Sequence, residues 1–235
     1  MSKQICLEYG SRQGIPVILA SAGTTCGGYV IAQGAPVSLQ ECLPYEGRQG
    51  VVPSQVIGGL ALEEVRKLVM PLSKDTPPQS SIKYDLSNPY RFGSAGRSAS
   101  IPPRQASRHR CLVIGAGALG TFVSLSLALS GAGELTIVDP DVVEQTNLNR
   151  QVLFYDSVGK PKASELARKL DKLSPHLHAV AIQAPVTEKH LEGIDLIFLC
   201  VDNFPTRAWV NRLAGRFNIP LVNGGTSAFG GQVMV

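Results

Sequence analysis

The sequence is short of charge. Asp, Glu, Lys and Arg make up 17% of it and the net charge is only +4, too little to argue a nucleic-acid surface. No apolar run approaches the roughly 18 residues that mark a membrane span. The opening stretch MSKQICLEYG lacks the apolar core of a secretory signal. The five cysteines (Cys6, Cys26, Cys42, Cys111, Cys200) are scattered and form no C-x-x-C pair. Neither a zinc site nor a disulfide framework is therefore indicated, and a reducing cytoplasm is the expected home. What is present is ordinary: 235 residues, 44% hydrophobic, enough for a real core in one or two domains.

The second half reads as alternating strands and helices. CLVIG (111–115), ELTIVD (134–139), HAVAIQA (178–184), IDLIFLCVD (194–202), IPLVNG (219–224) and GQVMV (231–235) are predicted strands. LGTFVSLSLALSGAG (119–133) is a buried helix closed by glycines. PKASELARKLDKL (161–173) starts with a helix-compatible proline and places Leu166, Leu170 and Leu173 on one face. FPTRAWVNRLAGRF (204–217) is a third helix. The alternation predicts an α/β fold, a doubly wound and mostly parallel Rossmann-like sheet over 111–235.

The first half is read as a small α/β unit over residues 1–72. Its strands are IPVILAS (15–21) and YVIAQG (29–34), around a TTCGG turn. Its helix is ALEEVRKLVMPL (61–72), with Leu62, Val65 and Val69 on one face. Residues 73–110 read as a Pro/Ser/Arg-rich linker, with Arg91, Arg97, Arg104, Arg108 and Arg110 at its end and no acid among them. An arm folding over an anionic ligand is the sharper reading of those arginines.

GAGALG (115–120) follows a strand and opens a helix, the context a nucleotide-binding glycine loop requires. Gly115 permits the tight turn, Gly117 the close approach of a ligand, and Gly120 the packing of the helix. The helix N-terminus welcomes phosphate. Asp139 ends the next strand, where a carboxylate accepts from ribose hydroxyls. This much serves NAD and ATP equally. The next polar residues along the chain are surplus for a dinucleotide: Asn147, Asn149, Arg150 and Gln151 in TNLNRQ, then Lys160 and Lys162 in VGKPKA. Such cations suit a triphosphate attacked at its α-phosphorus. Asp202, at the end of the fourth strand, and Asp141 offer oxygen ligands to Mg2+.

GAGALG, VDPDVVEQTNLNRQ, VGKPKA, CVDN and NGGTSAFGGQV occur in the order and spacing of the ubiquitin-activating-enzyme-like adenylyltransferases of the ThiF/MoeB/HesA type, which residues 111–235 resemble. The resemblance implies an enzyme that uses ATP to adenylate the C-terminal glycine of a ubiquitin-like or sulfur-carrier protein. It implies Asp139 as ribose reader and Asn147, Arg150, Gln151 and Lys162 as phosphate contacts. It implies Asp202, helped by Asp141, as the Mg2+ site, with Arg150, Lys162 and Asp202 catalytic. The stretch from NGG would line the channel for the incoming tail, and a homodimer is expected.

Departures from the pattern are plain. No thioester cysteine follows GGQVMV and the zinc C-x-x-C pairs are absent. The sequence stops inside a predicted strand, so a fragment, an adenylation without thioester, and completion by a partner all stay open. The R-Y-x-R-Q segment is only hinted at by NPYRFG (88–93) and PPRQ (102–105). Cys111 and Cys200 read as core thiols, Cys26 as an unreactive loop cysteine, and His176 and His178 as surface residues. Two rivals remain: a non-catalytic scaffold, and an NAD-linked Rossmann enzyme that would leave TNLNRQ and GKPK idle.

Overall fold

The computed structural model describes residues 2–24, 26–33, 50–72, 77–79, 81–85, 109–226 and 231–235. Arg91, Arg97, Arg104 and Arg108, the NPYRFG and PPRQ segments and the SAFG run at 227–230 lie outside the described residues. The chain forms two compact units, Met1–Pro102 and Pro103–Val235.

The second unit is a six-stranded sheet. Strands β4 (Arg110–Ile114), β5 (Glu134–Val138), β6 (His178–Ile182), β7 (Leu196–Leu199), β8 (Leu221–Thr226) and β9 (Gly231–Met234) take the order β6-β5-β4-β7-β8-β9. All neighbours are parallel except β8 and β9. A central parallel strand is covered on both faces and so reads as a continuous apolar run. In β4, alternate side chains serve opposite cores. Cys111 and Val113 join Ile137, Phe154, Leu166 and Leu170 on one face. Leu112 and Ile114 join Ile197, Leu199, Val210 and Leu213 on the other.

Three helices cover those faces: α3 (Ala118–Leu129), α4 (Lys162–Leu173) and α5 (Phe204–Phe217). Leu166 and Leu170 of α4 are fully buried while Leu173 is half exposed. Full burial of each leucine contributes roughly 1.5–3 kcal/mol, so Leu170→Ala would cost this face about 2–5 kcal/mol. Pro161 is the cap of α4 rather than its first helical residue. Helix α3 ends at Leu129, and Gly131, with φ of +87°, turns the chain out. Asn203 caps α5, its Oδ1 accepting from the Thr206 amide at 2.9 Å.

The first unit contains α1 (Ser2–Gln13), β1 (Val17–Ala22), β2 (Cys26–Ala32), α2 (Val51–Val69) and β3 (Ser81–Asp85). Its sheet is antiparallel in the order β1-β2-β3. Four expectations change here. Helix α1 carries no apolar stripe that would announce it. Helix α2 begins at Val51, because Pro53 sits in the first turn, where a missing N–H is harmless. It buries Pro53, Ile57 and Glu64, and leaves Leu62, Val65 and Val69 exposed. Strand β3 lies inside the predicted linker. Cys26 is not in a loop but begins β2, and is buried. Helix α2 can lie close on β2 because Gly27 has no side chain: a Cβ there would come within 2.6 Å of Ile57 Cγ1.

Candidate functional site

In an open parallel sheet, ligands bind beyond the carboxyl ends of the strands, where the strand order reverses. Here that point lies between β4 and β7. The connection after β4 leads to β5 on one side, and β7 flanks β4 on the other. A cleft of about 1530 Å³ opens there, lined from the ends of β4, β5, β7 and β8. Of the predicted site residues, Gly120, Asn149 and Lys160 are absent from its lining and the rest are brought together there.

The three glycines of GAGALG do three different things. Gly115 has φ of +96°, a left-handed turn that other residues strain to adopt. A Cβ on Gly120 would lie 1.8 Å from the Gly115 carbonyl oxygen, so this glycine lets α3 start against the loop. Gly117 has open space: the nearest atom to a Cβ there would be Gln151 Nε2 at 3.9 Å. It caps α3 without any side-chain hydrogen bond, leaving first-turn amides to face the cleft.

Asp139 is buried at 5% exposure. Its Oδ2 accepts from the Ala116 amide at 2.6 Å and its Oδ1 from the Asp141 amide at 2.8 Å. The predicted ribose reader thus also clamps the glycine loop. Each oxygen keeps a second acceptor direction. Burial pushes its carboxyl above the ordinary range, opposed by the two amides and by Lys162.

The TNLNRQ stretch divides its labour. Asn147 is buried and its Oδ1 accepts from the Glu144 amide at 3.1 Å, capping its own short 3-10 turn. Asn147 therefore shapes the loop as well as lining the cleft. Arg150 is exposed and donates to Asn149 Oδ1 at 3.0 Å, with no acid in salt-bridge range among the described residues. Gln151 is 3% exposed, and its Oε1 has no hydrogen-bond partner among the described residues. A buried amide oxygen left short is costly unless a ligand or water completes it.

Lys162 is brought to Asp141 by a backbone zipper. Its amide donates to the Asp141 carbonyl at 2.9 Å, Val143 N to Lys160 O at 2.8 Å, and Gly159 N to Val143 O at 2.8 Å. The Lys162 ammonium then lies 3.0 Å from Asp141 Oδ2. Asp141 is accordingly the counter-ion of Lys162 here. Lys160 does not line the cleft and stands 3.8 Å from Glu165 Oε1, so its expected place beside a triphosphate is corrected. Glu165 is also bonded by Arg168 at 2.7 Å and Ser157 at 2.9 Å. Arg168 first, then Ser157, draws its carboxyl below the usual value against the pull of burial.

Asp202 is exposed past the end of β7 and has no hydrogen bond or ion pair among the described residues. No cluster of three His, Cys, Asp or Glu side chains fit for a metal occurs among them. One free carboxylate plus substrate phosphates is nevertheless a normal magnesium site, so Asp202 fits that ion. Asp141, committed to Lys162, fits it less well.

Sequence reasoning missed Phe204, Trp209 and Arg207, which also line the cleft. Arg207 Nη1 donates to Asn223 Oδ1 at 2.7 Å and Nη2 to the Gly224 carbonyl at 2.8 Å. The available signal was an arginine one helical turn after the capping Asn203. Cys200 lines the cleft as well, but burial pushes its thiol up to about 12, partly offset by Arg207, which leaves it a poor nucleophile.

The ThiF family profile matches residues 90–235. The chain is 36% identical over 129 residues to the sulfur carrier protein ThiS adenylyltransferase of Escherichia coli, covering 53% of this chain and 51% of the relative. It is 41% identical over 128 residues to the SAMP-activating enzyme E1 of Haloferax volcanii, covering 52% and 47%. The crystal structure of the E. coli tRNA N6-threonylcarbamoyladenosine dehydratase, TcdA, in complex with AMP superposes with a TM-score of 0.50 at 28% identity, covering 52% of this chain and 54% of that one. The chain spans about half the length of the curated relatives it matches.

Proposed function

The chain belongs to the ThiF family, and from that premise we propose that it is an ATP-dependent adenylyltransferase acting on the C-terminal carboxylate of a ubiquitin-like or sulfur-carrier protein. One observation carries the reading. A glycine loop, the cation Arg150, the carboxylate Asp202 and the Gln151 amide oxygen line a single cleft, Arg150 and Asp202 without an opposite charge and the amide oxygen without a hydrogen-bond partner among the described residues.

A terminal carboxylate is ionised at neutral pH, so no general base is needed. Its oxygen attacks the α-phosphorus. The new bond joins acyl oxygen to phosphorus, the bond from α-phosphorus to the bridging oxygen breaks, and pyrophosphate leaves with the electron pair. The protein's work is positioning and charge stabilisation. The Ala116–Gly117 amides and the start of α3 hold phosphate, and Asp139 holds the ribose. Gln151 and the side-chain amide nitrogen of Asn147 orient the phosphates. Arg150 and Lys162 receive the charge that develops on pyrophosphate. Asp202 would hold Mg2+, which would supply Lewis-acid charge neutralisation when bound. Asp141 keeps Lys162 extended toward the cleft until a phosphate competes for it.

The expected setting is the cytoplasm, and the expected assembly a homodimer. Exposed apolar side chains at Phe122, Leu129 and Tyr155 support self-association; light scattering of the purified chain checks it.

The deciding assay is ATP–pyrophosphate exchange with candidate carriers ending in glycine. Wild type exchanges. Asp202→Ala and Arg150→Ala each lose about a hundredfold or more with an unchanged thermal melt, because both side chains are exposed. ATP binding without exchange for any carrier overturns the catalytic reading in favour of a scaffold, and binding of NAD in place of ATP overturns both.

A further inference from the structure

Arg207 is the third cation lining the cleft, beside Arg150 and Lys162. It stands in the first turns of α5, on the β8 side. Arg150 stands on the loop that follows β5. Both described partners of Arg207 are neutral, the Asn223 side-chain oxygen and the Gly224 carbonyl. No acid lies in salt-bridge range of it among the described residues. Many cations elsewhere in this unit are matched: Lys160 and Arg168 with Glu165, Lys162 with Asp141, Lys169 with Asp156, Arg110 with Asp195, Arg216 with Glu188. A part-buried guanidinium with neutral partners, facing a cleft, is a site prepared for an anion.

The anion follows from where Arg207 points. Its two bonds fix the planar fork along Asn223 and Gly224. Guanidinium carries five N–H donors, so three remain for a ligand. The strand end beside it is bare backbone. A Cβ on Gly224 would come within 2.7 Å of Leu119 Cδ2, and one on Gly225 within 3.4 Å of Arg207 Nη1. Gly224 thus has no room for a side chain of its own and Gly225 carries none, so the β8 backbone lies bare beside the guanidinium, free to line the path of an extended tail. The adenylation reading, on which this inference rests, must also bring two anions together, a carboxylate and a triphosphate. Their repulsion grows as water leaves the cleft. A fork beside the tail path offsets it and matches a carboxylate in geometry.

We propose that Arg207 receives the terminal carboxylate of the incoming glycine-rich tail and holds it for attack. Arg207 is then a substrate-binding residue, separate from the phosphate-facing Arg150 and Lys162.

The test uses the full chain with a non-hydrolysable ATP analogue bound, titrated with N-acetyl-diglycine and with its C-terminal amide. Binding is read from the backbone amide NMR signals of Gly224 and Gly225. Wild type prefers the free acid by about tenfold or more, the range expected for hydrogen bonds to a charged group. R207Q loses that preference and R207K keeps part of it. Both variants are compared with wild type by circular dichroism. Should R207Q fail to fold, the acid–amide ratio in wild type and R207K decides. Equal binding of acid and amide by analogue-loaded wild type overturns the inference alone. So does R207Q with the preference intact, or with ATP-analogue affinity reduced as much as carboxylate affinity. Failure of wild type to bind the analogue overturns the adenylation reading and this inference with it.

Discussion

The two units both pack helices on sheets, yet the buried cluster of the first and the cleft of the second differ in how their polar groups are partnered. In the antiparallel first unit, Glu64 on α2 is saturated. Its Oε1 lies 2.9 Å from Lys67 Nζ and its Oε2 accepts from the Gln79 amide at 2.9 Å. The Tyr29 hydroxyl beside it is pushed up to about 12 by burial and then by Glu64. In the parallel second unit, the strand ends keep Gln151 Oε1 without a partner and Asp202 and Arg207 without opposite charges among the described residues. Parallel connections bring every strand's carboxyl end to one edge, where loops need not pair with one another. A saturated cluster holds a fold together, while groups left short at such an edge are available to a ligand.

The hardest way to break the contrast is to close the cleft from beneath. Gly120→Val drives a branched side chain into the Gly115 carbonyl and is expected to cost about 3 kcal/mol and all nucleotide binding. Gly59→Val in α2, where a Cβ would meet nothing within 4 Å, is the matched control that folds. Calorimetry with ATP titration checks both, and retained ATP binding in Gly120→Val would refute the packing role.

Glu64→Ala probes the saturated cluster. Stranding Lys67 and the Gln79 amide should destabilise the first unit by about 3 kcal/mol. ATP affinity should stay where it was, since none of these groups belongs to the cleft. An equal loss of ATP affinity would show that the cleft depends on that cluster.

Asp141→Asn sharpens the site itself. Removing the counter-ion of Lys162 should raise the KM for ATP about fivefold, the scale of a largely exposed ion pair at roughly 1 kcal/mol. The Mg2+ concentration for half-maximal exchange should not move. A rise in that requirement would return Asp141 to the metal.

The smallest effect is at the surface of the second unit. Lys169, then the Ser157 hydroxyl, holds the Asp156 carboxyl down at about 2. Its folded value lies below the unfolded one, so its stabilisation is present above the ordinary carboxylate pKa of about 3.9 and is lost as pH falls through about 2. Wild type should melt slightly above Asp156→Asn at pH 6, and the gap should narrow toward pH 2 and close below it.

Legibility followed the same divide. The strands and helices of 111–235 were readable because each is a local apolar run with its own start and stop, and β4 had to be apolar on both faces. The first unit was harder. Helix α1 has no apolar stripe, α2 hides its start behind Pro53 and a Gly58–Gly59 pair, and β3 sits in a Pro- and Ser-rich stretch. At the site, residue types in a contiguous motif were legible, but their partners were not. Asn147 caps a turn, Lys160 turns to Glu165, and Asp141 turns to Lys162. Arg207 escaped notice because one arginine on an ordinary helix has no signature until β8 is laid beside it.

By itself the sequence determined the parallel α/β architecture, the family and the glycine loop, because strand, turn and helix propensities act over a few neighbouring residues. Only the tertiary structure decided which charges cancel and which remain. The group Asp139, Arg150 and Lys162 is far along the chain from Asp202 and Arg207, and their pairing depends on strand order and on the loop zipper that carries Lys162 to Asp141. Electrostatic roles are set by distance in space, and strand order places Arg207 beside Gly224 with its charge unmatched among the described residues.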